Sequence, residues 1–309
     1  MLLLINPYSA GGSAISKWKR IEHFVARSVP KMEIHSLDGK DRTSRLIGEA
    51  LSAGETDFVA AGGDGTVNFT LNCLLDFAMP GQLAQLRLGA IGLGSSNDFH
   101  KPFRLHQVPS RISCKLDFSR SLLRDVGCLT YDTSEGSTSV YFLINASCGL
   151  TAEANSFFNN PDRFLRQLKR LNTPTAIVYA ATKTILKYRN IPVHLDSGAG
   201  KDFTTPLTNL GVLKSPHFSG SLRYDTPNQL DSGQFIVTLC SDMTRWKVFH
   251  LFQSLSKGQF EHMAKTRSWG AQSLAISAEK PFAIEFDGEV TRTTTAKFTI
   301  LPRHLKVCP

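Results

Sequence analysis

Apolar runs that pass through a polar, glycine-bearing loop into a helix-like segment recur along the first hundred residues, and they restrict the folds open to this chain. LLLIN (2–6) leads into PYSAGG, DFVAA (57–61) into GGDGT, and LRLGAIGL (86–93) into GSSNDF. MEIHSL (32–37) reads as one more strand, and the stretches 13–29, 43–52 and 66–78 carry helical apolar spacing. A β-α-β-α rhythm with short loops predicts a parallel sheet with helices on both faces.

Beyond about residue 120 the pattern changes. Strand candidates follow one another at VYFLINAS (140–147), IPVHLD (191–196), LTNLGVL (207–213), FIVTLC (235–240), SLAISA (273–278), FAIEFDG (282–288) and AKFTIL (296–301). Helical insertions interrupt them at 161–189, broken at Pro174, and near 243–256. Runs of strands with long connections predict an antiparallel sandwich. The expected architecture is therefore α/β followed by β: a parallel-sheet domain over 1–120, which the loops and the resemblance described below mark as nucleotide-binding, then a β-rich domain over 121–309. The boundary falls within 104–122, and the last strand is free to return to the first domain.

Composition narrows the function classes. The net charge of +9 attracts polyanions: nucleotides, nucleic acid or anionic lipid surfaces. No helix-turn-helix or aromatic RNA-binding signature is visible, so nucleic acid is not expected as a partner. MLLLINP has no basic leader, and no run approaches the roughly 20 apolar residues of a membrane span. A cytoplasmic protein is the expectation. The six cysteines are scattered without C-x-x-C pairs and read as reduced, mostly buried thiols, and the nine histidines form no metal-binding cluster.

Gly62, Gly63, Asp64 and Gly65 form a glycine turn between a strand and a helix that starts near Thr66. Unpaired N–H groups and the positive end of the helix dipole suit a phosphate there. Thr66 can cap the helix or donate to a phosphate oxygen. Asp64 is the odd member, since phosphate repels an acid: either a divalent cation bridges the two, or Asp64 only stabilises the turn. Three such loops leave the carboxyl ends of parallel strands, where open α/β sheets bind ligands. Neither a Walker loop nor a G-x-G-x-x-G fingerprint is present.

In this order and spacing, NPYSAGG, GGDGTVN, GLGSSNDF and the closing EFDGE (285–289) resemble the diacylglycerol kinase catalytic-domain family, over nearly the whole chain. That family includes soluble bacterial lipid kinases and is related to sphingosine and ceramide kinases. The resemblance implies that Gly62, Gly63, Asp64, Gly65 and Thr66 cradle the phosphates of ATP. It places Asn6, Thr43, Ser95 and Asn97 at the nucleotide, and Asp64, Asp98 and Asp125 around a catalytic Mg²⁺. Glu289 would be the general base, assisted or oriented by Asp287. The implied activity is ATP-dependent phosphorylation of a lipid hydroxyl, diacylglycerol giving phosphatidic acid.

Several positions depart from the family pattern. Phe69 stands where the family has glutamate, and with Cys73 and Phe77 it forms a second apolar stripe on its helix. Gly92 replaces a common proline and Ser96 a common small residue. Ser232 replaces an acidic ligand of a structural Mg²⁺ beside Asp231.

The lipid acceptor implies an anionic membrane surface as partner and peripheral membrane association. Residues 161–189 mix Phe164, Leu165, Leu168 and Ile185 with Arg163, Arg166, Lys169, Lys183 and Lys187. That composition suits a helix lying on such a surface, or a helical pair packed on the sandwich. A homodimer is left open. Two rival readings are an NAD kinase, which shares the GGDGT loop, and a non-catalytic nucleotide or lipid sensor supported by Phe69 and Ser232.

Overall fold

A computed structural model describes residues 1–29, 31–102, 109–197, 202–227, 229–261 and 263–309. Residues 103–108, which overlap the start of the stretch where the sequence places the domain boundary, lie outside it. The chain divides into two compact units, one of residues 1–126 with 303–309 and one of residues 127–302.

In the first unit β1 (Leu2–Ile5), β2 (Glu33–Ser36), β3 (Asp57–Gly62) and β4 (Arg87–Gly92) lie in the order β4-β3-β1-β2, all parallel. β5 (Cys114–Lys115) runs antiparallel beside β4. β1 is buried at every position, as expected of a strand covered on both faces. Leu3 and Ile5 share a core with Trp18, Ile21 and Val25. These last residues lie at or between α1 (Ala14–Lys19) and α2 (Glu22–Ser28). The single helix expected over 13–29 is thus two, broken where Ile21 leaves helical geometry at φ −127° while remaining buried. α3 (Lys40–Ser52) packs against α4 (Asp64–Phe77), which lies on β3. α4 begins two residues earlier than its apolar spacing shows, so Asp64 and Gly65 belong to its first turn.

The second unit is antiparallel. Its strands are β6 (Leu122–Thr133, entering from the first unit), β7 (Gly136–Phe142), β8 (Asn145–Gly149), β9 (Ile191–Asp196) and β10 (Asp202–Leu213). They continue with β11 (His217–Phe218), β12 (Leu222–Arg223), β13 (Phe235–Ser241), β14 (Thr266–Ala271), β15 (Ser273–Phe286) and β16 (Glu289–Val307). The order β14-β13-β10-β8-β15-β16 holds the main ladder, and β9 bridges β10 and β15. The strands enclose an apolar core that includes Phe142, Phe235, Phe282 and Phe298. α5 (Leu150–Asn159), α6 (Arg163–Leu171) and α7 (Thr173–Lys187) follow β8, and α8 (Arg245–Ser256) follows β13. Pro174 sits in the first turn of α7, where its missing N–H costs nothing, and Asn172 caps that helix by accepting from Thr175 N at 3.0 Å.

Two strand expectations change. VYFLINAS is not one strand: it is the end of β7, a break at Leu143 and Ile144, and the start of β8. SLAISA and FAIEFDG are one strand, β15, with a register irregularity between Ser277 and Phe282. The last residues of β16 pair in parallel with β4, Lys306 opposite Arg87 and Val307 opposite Leu88. All six cysteines are free thiols.

Candidate functional site

The glycine loop is built by mutual contact of three strand ends in the first unit. Leu93 N and Gly94 N both donate to Gly62 O, at 2.8 and 3.1 Å, which ties the GLGSSN loop to the GGDGT loop. A Cβ on Gly94 would lie 2.4 Å from Gly63 Cα, and one on Gly62 would lie 2.2 Å from Thr66 Oγ1. Side chains are therefore excluded first by the protein's own main chain and by Thr66. Asn6, at the end of β1, donates through Nδ2 to Thr66 Oγ1 at 3.0 Å, and Gly63 N donates to Ser9 Oγ at 3.3 Å. Asn6, Gly62, Gly63 and Thr66 thus form one connected group, at the start of a helix whose first N–H groups and dipole favour an anion.

Asp64 acts between loops. Its two oxygens accept from Asp98 N and Phe99 N, each at 3.0 Å, and so cap the short turn after Asn97. Asn97 holds left-handed geometry at φ 50° and donates through Nδ2 to Gly92 O and Gly94 O. Asp98 pairs with Lys101 at 2.6 Å, both side chains less than a tenth exposed. Asp125 is fully buried and accepts from Arg303 N at 2.8 Å. The three acids named as metal ligands are not gathered together: no group of three His, Cys, Asp or Glu that could hold a metal occurs among the described residues. Asp64 and Asp98 adjoin, so a Mg²⁺ there would be completed by phosphate oxygens, and no step below is routed through one.

Thr43 is buried in the first turn of α3 and donates to Gly39 O at 2.9 Å. Ser95 lies exposed in the same GLGSSN loop. Lys17, which sequence reasoning passed over as one of many helix lysines, reaches from α1 to Leu93 O and Gly94 O at 3.0 and 2.8 Å. Burial, and then Arg20, lowers its pKa. Its ammonium fixes the carbonyls of the loop that carries Asn97. Phe69 is half-buried and Cys73 buried, while Phe77 is 46% exposed with its ring beside Gly48.

In the second unit Asp287 sits at φ 47° in the turn between β15 and β16, only 4% exposed. Leu143 N donates to its Oδ2 at 2.7 Å, and Ile144 N and Asn145 N donate to its Oδ1 at 2.9 and 3.0 Å. This carboxylate is what separates β7 from β8. Glu285, which opens the EFDGE motif but has no role assigned from the sequence, accepts from Ser147 Oγ at 2.8 Å and Gly288 N at 2.7 Å. The buried pair of acids fixes the turn from both sides and leaves Glu289 exposed just beyond it. Ser232 closes its own turn by donating to Gln234 O at 3.2 Å.

Residues 1–126 match the family model of the diacylglycerol kinase catalytic domain, and residues 145–309 match that of the YegS C-terminal NAD kinase β-sandwich-like domain. The chain belongs to the family that joins these two domains. A diacylglycerol kinase of Staphylococcus haemolyticus is 24% identical over 81% of this chain and 70% of its own length. A diacylglycerol kinase of Staphylococcus epidermidis is 24% identical over 84% and 77%. A diacylglycerol kinase structure from Bacillus anthracis superimposes with a TM-score of 0.69 at 16% identity, over 99% of this chain and 95% of that one, and shares its fold. The family supports a lipid kinase-type function. Among the described residues no helix is long and apolar enough to cross a membrane.

Proposed function

We propose that the chain is an ATP-dependent lipid kinase that transfers the γ-phosphate to a lipid hydroxyl, diacylglycerol foremost, giving phosphatidic acid. The observation that carries this reading is the joined glycine loop at the start of α4, in a domain that matches the diacylglycerol kinase catalytic domain. ATP supplies the transferable phosphoryl group. Gly62, Gly63, Gly65 and Thr66 let its phosphates approach the backbone, and Asn6 orients the Thr66 hydroxyl. Asp64 and Asn97 hold the second loop in place, with Ser95 and Thr43 at the nucleotide's edge. Mg²⁺ enters only as the nucleotide's own counter-ion.

Glu289 accepts the proton of the acceptor hydroxyl, since a carboxylate exposed beside a rigid turn can reach a substrate. Asp287 keeps that turn in position through its three backbone bonds and is a positioning residue.

The test is transfer of label from radiolabelled ATP to a panel of lipids in mixed micelles, beside Glu289→Gln and a reaction offered NAD. We expect label on diacylglycerol and a fall of about 10²–10⁴-fold in the variant, the range of a lost general base. Label on NAD instead would make the chain a dinucleotide kinase. ATP binding without transfer to any acceptor would make it a sensor.

A further inference from the structure

The basic residues of the second unit are distributed unevenly. No Asp or Glu occurs from residue 163 to 195 or from 243 to 260, although the chain holds 26 acids. The first stretch is α6 and α7 with the strand that follows, and the second is α8 with its flanks. α7 packs against α8, so the two acid-free stretches meet in the fold.

Their junction is built. Asn190, just past α7, donates through Nδ2 to Met243 O at 3.2 Å and accepts from Thr208 Oγ1 at 2.8 Å. Thr208 Oγ1 in turn accepts from Met243 N at 2.9 Å. Ile185, Met243 and Val248 pack below in one apolar cluster. Above them lies a cavity of about 260 Å³ whose lining includes both Arg189 and Arg245. Both arginines are exposed, and neither side chain makes a hydrogen bond or ion pair with the described residues. Asp242, the acid nearest in sequence, is already paired with Lys265.

Exposed apolar side chains flank the arginines. Trp246 follows Arg245 and is 84% exposed, and Leu186 of α7 is 52% exposed, with Lys187 beside it and Lys247 next to Trp246. A large aromatic residue held in water between two cations costs solvation that a membrane interface returns. There the indole sits at headgroup depth and cations meet lipid phosphates.

We propose that the end of α7 and the start of α8 form a docking face for an anionic bilayer, with Arg189 and Arg245 receiving a lipid phosphate in the cavity and Trp246 entering the interface. The face is assigned independently of the kinase reading.

The test is co-sedimentation of the full chain with vesicles of phosphatidylcholine alone and of phosphatidylcholine mixed with phosphatidylglycerol, with tryptophan emission recorded alongside. We expect partition only with the anionic vesicles, accompanied by a blue shift that Trp246→Phe abolishes while Trp18 and Trp269 remain. Arg189→Glu with Arg245→Glu should lower partition about twentyfold or more, since each cation near such a surface contributes a several-fold factor. Thermal melts of the variants should match the parent, because the changed side chains are exposed. Three results would overturn the proposal. One is absence of anionic partition, and another is partition that Arg163→Glu with Arg166→Glu weakens but the Arg189 and Arg245 changes do not. The third is an emission shift with inorganic phosphate but none with vesicles, which would assign a soluble phosphate ligand. Transfer of label to a water-soluble short-chain diacylglycerol, measured on the same samples, reports separately on the kinase reading.

Discussion

At Gly94 the limit on side-chain size comes from the main chain of another loop: an added methyl would lie 2.4 Å from Gly63 Cα and 2.8 Å from Asn97 Oδ1. Backbone cannot rotate away as a side-chain tip can, so Gly94→Ala must part the two loops. We expect a loss of about 1–3 kcal/mol, typical of overpacking, and loss of the rise in Tm that the proposed ATP site predicts for the parent. Unchanged melting with the ATP response intact would show that the loops separate freely. His100 makes a second case in the same region. It is 4% exposed, and neither ring nitrogen has a hydrogen-bond partner among the described residues. Burial, and then Lys115, lowers its pKa to about 3. Between about pH 6.5 and 3 the unfolded chain therefore binds a proton that the folded chain does not, so stability falls as pH drops through that window. The slope from this group is about 1.4 kcal/mol per pH unit at most. Urea melts at pH 7 and pH 5 should show a smaller acid loss for His100→Leu than for the parent. Equal losses in both would mean that other groups dominate.

Among the elements, β7, β8 and the β15–β16 turn show where sequence reasoning stops. β1, β3 and β4 were legible because strands covered on both faces are apolar at successive positions, a local signal. The division of VYFLINAS was not, because its cause is Asp287, distant in sequence, taking the N–H groups of Leu143, Ile144 and Asn145. β15 reads locally as two strands, SLAISA and FAIEFDG, yet the ladder resumes at Phe282 after the irregularity. In the site, the glycine loop stood out by composition. Lys17 and Glu285 did not, since each takes its importance from partners that spacing cannot show. Asp287→Asn follows from the same geometry. An amide nitrogen would face a backbone N–H in place of an acceptor, and a lost bond to a charged group of this kind costs about 1.5–3 kcal/mol. We expect a lower urea midpoint with unchanged slope, and a fall in any phosphotransfer that the conservative Glu returns only in part. Unchanged stability with activity abolished would instead make Asp287 a chemical participant.

The first unit is not continuous in sequence, since it takes in residues 303–309 after the whole second unit has been traversed. These last residues are not a loose tail. Leu305 is fully buried, Val307 and Cys308 are nearly so, and Cys308 N donates to Leu88 O at 2.9 Å. Arg303 N supplies a bond to Asp125, a fully buried acid that would otherwise lose a partner it cannot replace with water. The first unit therefore completes this sheet edge only with residues 303–309, and a chain ending at Pro302 lacks the parallel partner of Arg87 and Leu88, β5 covering only Ala90 and Ile91. Such a truncation should leave the antiparallel core of the second unit intact, because Phe142, Phe235, Phe282 and Phe298 all lie before the cut. Hydrogen exchange followed by peptide mass analysis separates the two outcomes. We expect protection to collapse across β1, β3 and β4 while β10, β13 and β15 stay slow to exchange, together with loss of the rise in Tm that the proposed ATP site predicts. Uniform loss of protection in both units would mean that they unfold as one cooperative body. Full protection of β4 in the truncated chain would mean that the edge strand contributes little, and that Asp125 finds another donor.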